Sequence, residues 1–279
     1  MAGKYQVFAD GKEYGDVPAR KKLRYSKLFV GDYVEYNKEE NVIESVQERK
    51  NFTIRPPIAN IDKLFIVLAP VPQPDFVLID KLLVQCQVYS IVPILVINKK
   101  DLATPAFIKD VESQYKSVVK IYKTDIIDIK SIEALKKEIN GNLCVFVGQS
   151  AVGKSSLTNI LLPSAFREIG DLSLKTNRGK NCTRETTIYN AFGGKIADTT
   201  GFSSLELPDI KKEQLTDCYL EIKEYSANCN YNTCNHVGES ENICAVKRAV
   251  KEGKIPLKRY ERYLTLFKQL KEKQEKKYG

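Results

Sequence analysis

The chain has 279 residues, 43% of them hydrophobic, enough for two domains, or one domain with appendages, around a sizeable core. The longest apolar runs, 64–71 and 91–97, are too short to span a bilayer, residues 1–14 are too polar for a secretory leader, and seven cysteines leave one unpaired; no membrane contact and no disulfide framework are expected, and a cytoplasmic protein is. The net charge of +9 points toward a polyanion, with ten Lys or Arg against four Glu between Lys251 and Gly279, and with Arg20, Lys21, Lys22, Arg24 and Lys27 gathered around Tyr25.

Residues 1–57 read as a small β-domain. Alternating stretches at 4–8, 32–36 and 42–46 are separated by turn signals at Asp10-Gly11, Gly15-Asp16 and Gly31-Asp32. Arg55-Pro56-Pro57 stiffens the exit. A five-stranded barrel of the OB type fits this length, and an SH3-like barrel fits the pattern nearly as well.

Residues 58–225 change character. Apolar strands at 63–68, 91–97, 118–122 and 143–147 alternate with helical stretches at 76–88 and 131–139. Such alternation predicts an α/β domain with a mostly parallel sheet covered by helices.

Asn98-Lys99-Lys100-Asp101 follows the second of these strands, where an open parallel sheet places its ligand contacts. An ionised Asp101 carboxylate only accepts hydrogen bonds, and guanine offers it two adjacent donors, N1–H and the exocyclic amine. Adenine has no matching pair, and a buried acceptor left unpaired discriminates by factors of about 10⁴. The Lys99 stem is suited to cover a face of the base. Alone, four residues are a weak signal; beside a phosphate loop they gain weight.

That loop is Gly148, Gln149, Ser150, Ala151, Val152, Gly153, Lys154 and Ser155, which fits G-x-x-x-x-G-K-[ST], with Ser156 opening the helical stretch behind it. Its glycines let backbone N–H groups face phosphate oxygens at a helix N-terminus. Lys154 is placed to reach the β- and γ-phosphates, and the Ser155 hydroxyl to hold Mg²⁺. Asp101 precedes Gly148 by 47 residues, the reverse of the order in ordinary GTPases. The same sheet is possible if the chain enters it midway.

A Thr-, Asn- and Gly-rich loop follows at 175–187, in which Thr183, Thr186 or Thr187 would close the Mg²⁺ shell; Thr186 and Thr187 lie nearest the next strand. The stretch 195–201 reads as a strand ending in D-x-x-G, with Asp198 on Mg²⁺ through water and the Gly201 N–H on the γ-phosphate. The glutamine that many GTPases place next to orient the attacking water is Phe202 here, and the single histidine is His236. No internal general base is evident, so slow intrinsic hydrolysis is expected.

Cys229-x4-Cys234-x-His236-x7-Cys244 offers three thiolates and an imidazole, a set suited to one tetrahedral, structural Zn²⁺. Cys86, Cys144, Cys182 and Cys218 read as packing or surface residues. A helix with the stripe Leu257, Tyr260, Leu264 and Phe267 completes a module at 226–279.

In this combination the sequence resembles the ribosome-small-subunit-dependent GTPase A family (RsgA/YjeQ). The likeness covers nearly the full length. It comprises the barrel ending in Arg55-Pro56, the early Asn98–Asp101 element, the Gly148–Ser156 loop, Asp198–Gly201 and the Cys/His cluster. The resemblance implies an OB-fold, a circularly permuted P-loop GTPase domain and a zinc module. It also implies that the protein hydrolyses GTP to GDP, binds the small ribosomal subunit and its rRNA, is stimulated there and acts in late maturation of that subunit, as a monomer. Departures are visible. Thr200 stands where the family commonly has proline, Gly179-Lys180-Asn181-Cys182-Thr183 replaces G-R-H-T-T without its histidine, and no Ser-Ala pair follows Tyr122-Lys123-Thr124. Two other readings compete: a constitutive RNA-binding assembly protein with nucleotide as a structural ligand, and an ATP-dependent kinase or ATPase, which Asp101 disfavours.

Overall fold

The computed structural model describes residues 4–10, 12–23, 27–54, 57–162, 186–198 and 206–278. Arg24, Tyr25, Arg55, Pro56, Cys182, Thr183, Gly201, Phe202 and the loop 175–185 lie outside them.

The N-terminal segment forms three antiparallel pairs: β1 (Lys4–Ala9) with β2 (Lys12–Pro18), β3 (Val34–Asn37) with β4 (Val42–Val46), and β5 (Phe52–Ile54) with β6 (Pro57–Ala59). Bridges from Ala19 to Ile43 and from Val30 to Ile58 tie the pairs together. Strand alternation turns Val7, Val17 and Ile43 onto one small core. Arg20, counted above as part of a basic cluster, is spent internally: its guanidinium donates to Glu44 at 2.7 Å and Glu40 at 2.5 Å. Lys21, Lys22 and Lys27 stay exposed.

A six-stranded sheet follows, in the order β11-β12-β10-β7-β8-β9. Its strands are β7 (Lys63–Leu68), β8 (Val92–Ile97), β9 (Lys120–Lys123), β10 (Leu143–Val147), β11 (Thr187–Ala191) and β12 (Gly194–Asp198). All neighbours run parallel except β11, which is antiparallel to β12. The apolar strands Leu64–Leu68 and Leu143–Val147 are buried on both faces because helices cover both. On one face Leu64, Ile66, Leu95, Val145 and Val147 pack under α1 (Phe76–Val88) and α2 (Pro105–Tyr115). On the other, Phe65, Val67, Ile94, Val96 and Phe146 pack under α3 (Ile129–Ile139) and α4 (Lys154–Leu161).

Chain direction explains how an inverted motif order builds an ordinary crevice. From β7 the chain winds outward through β8 and β9, then returns to place β10 on the other side of β7, goes out to the edge as β11 and turns back as β12 between β11 and β10. The reversal lies between β7 and β10. Parallel sheets bind ligands at the carboxyl ends beside such a switch point, and Gly148 follows β10 there.

Beyond the sheet stand α5 (Leu215–Cys218), α6 (Leu220–Ser226), α7 (Ala245–Lys251) and α8 (Leu257–Tyr278). Their core joins Leu215, Ile222, Val246, Tyr263, Leu266 and Leu270 to Val84 on α1. The stripe foreseen on α8 is rotated: Tyr260 and Phe267 are buried, Leu264 is partly buried, but Leu257 is 58% exposed. The inward face includes Arg259 and Arg262 instead.

Those two cations meet Asp80 of α1, whose side chain is fully buried. Arg259 donates to it at 2.5 Å, Arg262 at 2.7 Å and the Tyr115 hydroxyl at 2.7 Å. Arg259 also donates to Glu221 at 2.7 Å. Removing one partner of a buried ion cluster strands the others without charge compensation, a cost of about 3–5 kcal/mol. Asp80→Ala is therefore expected to lower the unfolding free energy by about that amount in denaturant titration. Glu241→Ala, which breaks the exposed pair with Lys251, should leave the midpoint nearly unchanged.

Candidate functional site

The backbone after β10 curls through positive φ at Gly148 (140°), Ala151 (63°) and Gly153 (93°) before α4 begins at Lys154. A β-carbon on Gly148 would collide with the Val67 carbonyl oxygen on the neighbouring strand, and one on Gly153 with the Asn98 amide. Both glycines are thus required by close approach as well as by conformation. Lys154 folds back over the loop, donating to the carbonyl of Gly148 at 2.8 Å and to that of Gln149. Burial holds its pKa below the ordinary lysine value. Val152 is buried, while Ser150, Ala151, Ser155 and Ser156 are exposed.

The Asn98–Asp101 element emerges from β8, on the far side of β7, and reaches back to this loop. Asn98 is 1% exposed. Its side-chain amide donates to the Val152 carbonyl at 2.9 Å, and its oxygen accepts from the Thr124 hydroxyl at 3.0 Å. Lys99, in the left-handed region at φ 53°, sends its ammonium to the carbonyls of Ala151 at 2.8 Å and Val71 at 2.9 Å. Lys100 N donates to the Thr124 carbonyl at 3.0 Å, and its ammonium lies 3.6 Å from Asp128. Asp101 is exposed in the following 3-10 turn and makes no hydrogen bond among the described residues. The sequence motifs, 54 positions apart from Asn98 to Val152, therefore share one crevice.

Asp198 ends β12 on the other flank of β10 and stands opposite Thr187 of β11, with Thr186 just ahead. These three sit at the same sheet end as Gly148. Gly201 and Thr183, the other switch candidates, lie outside the described residues.

Two of the residues named from sequence have roles that the sequence does not show. Thr124 stands where a Ser-Ala pair was sought; it is fully buried and clasps Asn98. Gln149 accepts from Asp75 N at 2.7 Å and donates to the Gln73 carbonyl at 3.3 Å, fixing the phosphate loop to the start of α1. Position alone marks Thr124, the residue after β9, whereas the motif places Gln149 in the loop without showing its tie to α1.

The cysteine cluster closes as foreseen. His236 Nδ1 lies 3.3 Å from Cys234 Sγ, 3.5 Å from Cys244 Sγ and 3.6 Å from Cys229 Sγ, and all four ligand atoms fall within 4.8 Å of one another. A tetrahedron with bonds of about 2.3 Å to sulfur and about 2.0 Å to nitrogen has nitrogen–sulfur edges of about 3.6 Å. Burial pushes the Cys234 thiol up to about 12, and a cation at the centre of the four ligand atoms would favour the thiolate forms. Glu239, unforeseen, accepts from Asn235 N and Val237 N at 3.0 and 2.8 Å and shapes the histidine turn. Tyr260 and Tyr263 of α8 donate to the His236 and Asn235 carbonyls at 2.6 and 2.9 Å.

A switch-point phosphate loop bridged to an N-K-x-D element, with Asp198 on the next strand, defines a P-loop GTPase of circularly permuted strand order. The chain belongs to the RsgA GTPase family, whose model matches residues 46–208. It is similar to the small ribosomal subunit biogenesis GTPase RsgA of Geobacillus sp. (strain WCH70), 38% identical over 284 residues that cover 98% of this chain and 96% of that one. It is also similar to the crystal structure of YjeQ from Thermotoga maritima, with a TM-score of 0.77, 34% identity and coverage of 91% and 88% of the two chains. YloQ, described as a circularly permuted GTPase, aligns with a TM-score of 0.77 and 31% identity over 98% of this chain and 93% of its own.

Asn98→Ala tests the bridge. It strands the Val152 carbonyl and the Thr124 hydroxyl, so a loss of about 1–3 kcal/mol in stability is expected. GDP is expected to raise the thermal midpoint of the native protein, and that rise should shrink or vanish in the variant.

Proposed function

We propose that this chain hydrolyses GTP to GDP and phosphate as a switch on the small ribosomal subunit, where it acts in late maturation and contacts rRNA. The observation that carries the proposal is the junction of base reader and phosphate loop through Asn98 and Lys99, with the Asp101 carboxylate left open to accept. The name of the Geobacillus relative supplies the ribosomal context. A division into 1–57, 58–225 and 226–279, with the first unit and the basic C-terminal helix meeting rRNA, fits the charge distribution. Among the described residues no helix is long and apolar enough to cross a membrane, and the setting proposed is the cytoplasm.

In this reading Asp101 accepts from guanine N1–H and the exocyclic amine, while the Lys99 stem lies along the base. N–H groups of the loop 148–156 surround the phosphates. Lys154 exchanges the carbonyls of Gly148 and Gln149 for β- and γ-phosphate oxygens, an exchange favoured because its burial makes a fixed anion a better partner than a dipole. Ser155 and Asp198, the latter through water, hold Mg²⁺, with Thr186 closing the shell when the triphosphate is present and the Gly201 N–H reading the γ-phosphate. Mg²⁺ there offsets charge on the transferring phosphoryl group. Cys229, Cys234, His236 and Cys244 hold one Zn²⁺, which staples a loop with little apolar content of its own.

No group of this chain is assigned to orient the attacking water. The one histidine is buried among three thiols, and the side chain of Phe202 has no hydrogen-bonding atom. The missing group comes from the bound subunit. Turnover of the isolated protein should accordingly be slow and rise at least about tenfold when purified small subunits are titrated in, with the effect weakened by salt. Fast turnover alone contradicts the proposal, and absence of stimulation favours a constitutive RNA-binding assembly protein that holds nucleotide as a structural ligand. Asp101→Asn should cut the preference for GTP over ATP by about 30-fold or more in competition binding, while tighter ATP than GTP binding by the native chain would indicate an ATPase.

A further inference from the structure

The β11–β12 hairpin contains a residue that its turn geometry disfavours. Ala191 pairs with Gly194, and the two residues between them, Phe192 and Gly193, have φ of 49° and 75°. This is the two-residue hairpin whose central positions favour Asn, Asp or Gly. A phenylalanine in the left-handed region is sterically strained, and burial does not compensate, since Phe192 is 42% exposed. Strain of this kind, held in place by rigid surroundings, marks sites where a side chain must be presented. The surroundings are rigid here. Gly193 accepts from Gly141 N at 3.1 Å, Lys195 N donates to the Asn142 carbonyl at 2.9 Å, and the Ile139 carbonyl leaves no room for a β-carbon on Gly194.

The presented ring lines an open cavity of about 530 Å³. The cavity sits at the amino ends of β10 and β12, beside Leu143 and Lys195. It is therefore separated from the phosphate loop by the length of β10, about 16 Å. Tyr33 of the N-terminal segment, 57% exposed, lines it as well. Of the lining residues Lys195 supplies a cation, its ammonium 5.9 Å from the Tyr33 centroid; Lys136 lies 5.0 Å from the Phe192 centroid but outside the lining, and it is paired with Glu133. Asn190 contributes an exposed carboxamide that makes no hydrogen bond among the described residues. The acidic lining residue, Asp62, is already matched, accepting from Leu143 N and Lys50 Nζ at 2.8 Å each.

Two exposed rings, the Lys195 ammonium and a free amide in a cavity of nucleotide size suit an unstacked base on a polyanionic strand. A peptide or a sugar would use the rings and leave the Lys195 ammonium without a phosphate. We propose that this cavity binds an unpaired base of a single-stranded RNA segment, stacked on Phe192 and Tyr33, with a flanking phosphate on Lys195. The site rests on the RNA-bound reading above and adds to it a second base-binding position, remote from GTP.

The test is fluorescence anisotropy of the full chain with an unstructured 12-nucleotide RNA and an abasic strand of equal length. Phe192→Asn removes the ring and places in the turn a residue that tolerates left-handed backbone. RNA affinity should fall roughly 5- to 100-fold with the thermal midpoint kept or raised, and Tyr33→Ala should act in the same direction. Phe192→Trp should retain binding and give this tryptophan-free chain a single emission that RNA quenches. Unchanged RNA affinity in Phe192→Asn, or equal binding of RNA and abasic strand by the native chain, overturns the proposal. Subunit-stimulated GTP hydrolysis, measured on the same variants, reports separately: stimulation with no ring dependence of RNA binding removes the cavity alone, and no stimulation removes the switch while anisotropy still decides the cavity.

Discussion

A single buried carboxamide fastens together two loops from strands that do not touch. Asn98 leaves β8, passes over the end of β7 and donates to the Val152 carbonyl beyond β10, while its oxygen takes the Thr124 hydroxyl from β9. Three strand ends are thereby set at fixed distances. Its removal would leave a buried carbonyl and a buried hydroxyl unpaired, and such groups are costly away from water. Gly153 is part of the same constraint, because the amide occupies the space that any side chain there would need. In the proposed function, this fixed spacing between Asn98–Asp101 and the loop 148–156 would allow one ligand to span both without reorganising the protein.

Sheet order, rather than chain order, determines this arrangement. Parallel strands hold their register through lateral hydrogen bonds, and the sheet keeps its crevice wherever the chain enters it. Entering at β7 has a consequence at the other end. The strand bearing Asp198 becomes the last of the sheet, and the chain proceeds from it to α5, α6 and the cysteine loop. Helix α1 connects these parts. Its first turn is tied to the phosphate loop through Gln149 and Asp75, one face lies on the sheet, and Asp80 receives Arg259 and Arg262 from α8.

Local chemistry made much of this legible in sequence. The strands at 63–68 and 143–147 announce themselves by unbroken apolar runs, since both faces are covered, and the phosphate loop and the Cys/His ligands are local or nearly local spacings. Helix α2 was missed because only Val111, Gln114 and Tyr115 of its eleven residues are buried, so its apolar periodicity is faint. Thr104-Pro105, a capping residue before a first-turn proline, was the available signal. The inward face of α8 was misjudged for a different reason. Arg259 and Arg262 look like solvated cations until Asp80, some 179 positions earlier, is brought beside them. Likewise Arg20 counts as surface charge in composition but is neutralised by Glu44 in the fold. Contacts across long sequence separations carry no local signature.

The central claim is that Asp101 and the loop 148–156 address one nucleotide. A crystal structure of the GDP–Mg²⁺ complex tests it most directly. The account requires a single GDP, its guanine N1–H and exocyclic amine on the Asp101 carboxylate and its β-phosphate enclosed by the loop with Lys154 turned onto it. Guanine bound away from Asp101 while the phosphates occupy the loop, or two nucleotides in separate cavities, would contradict it.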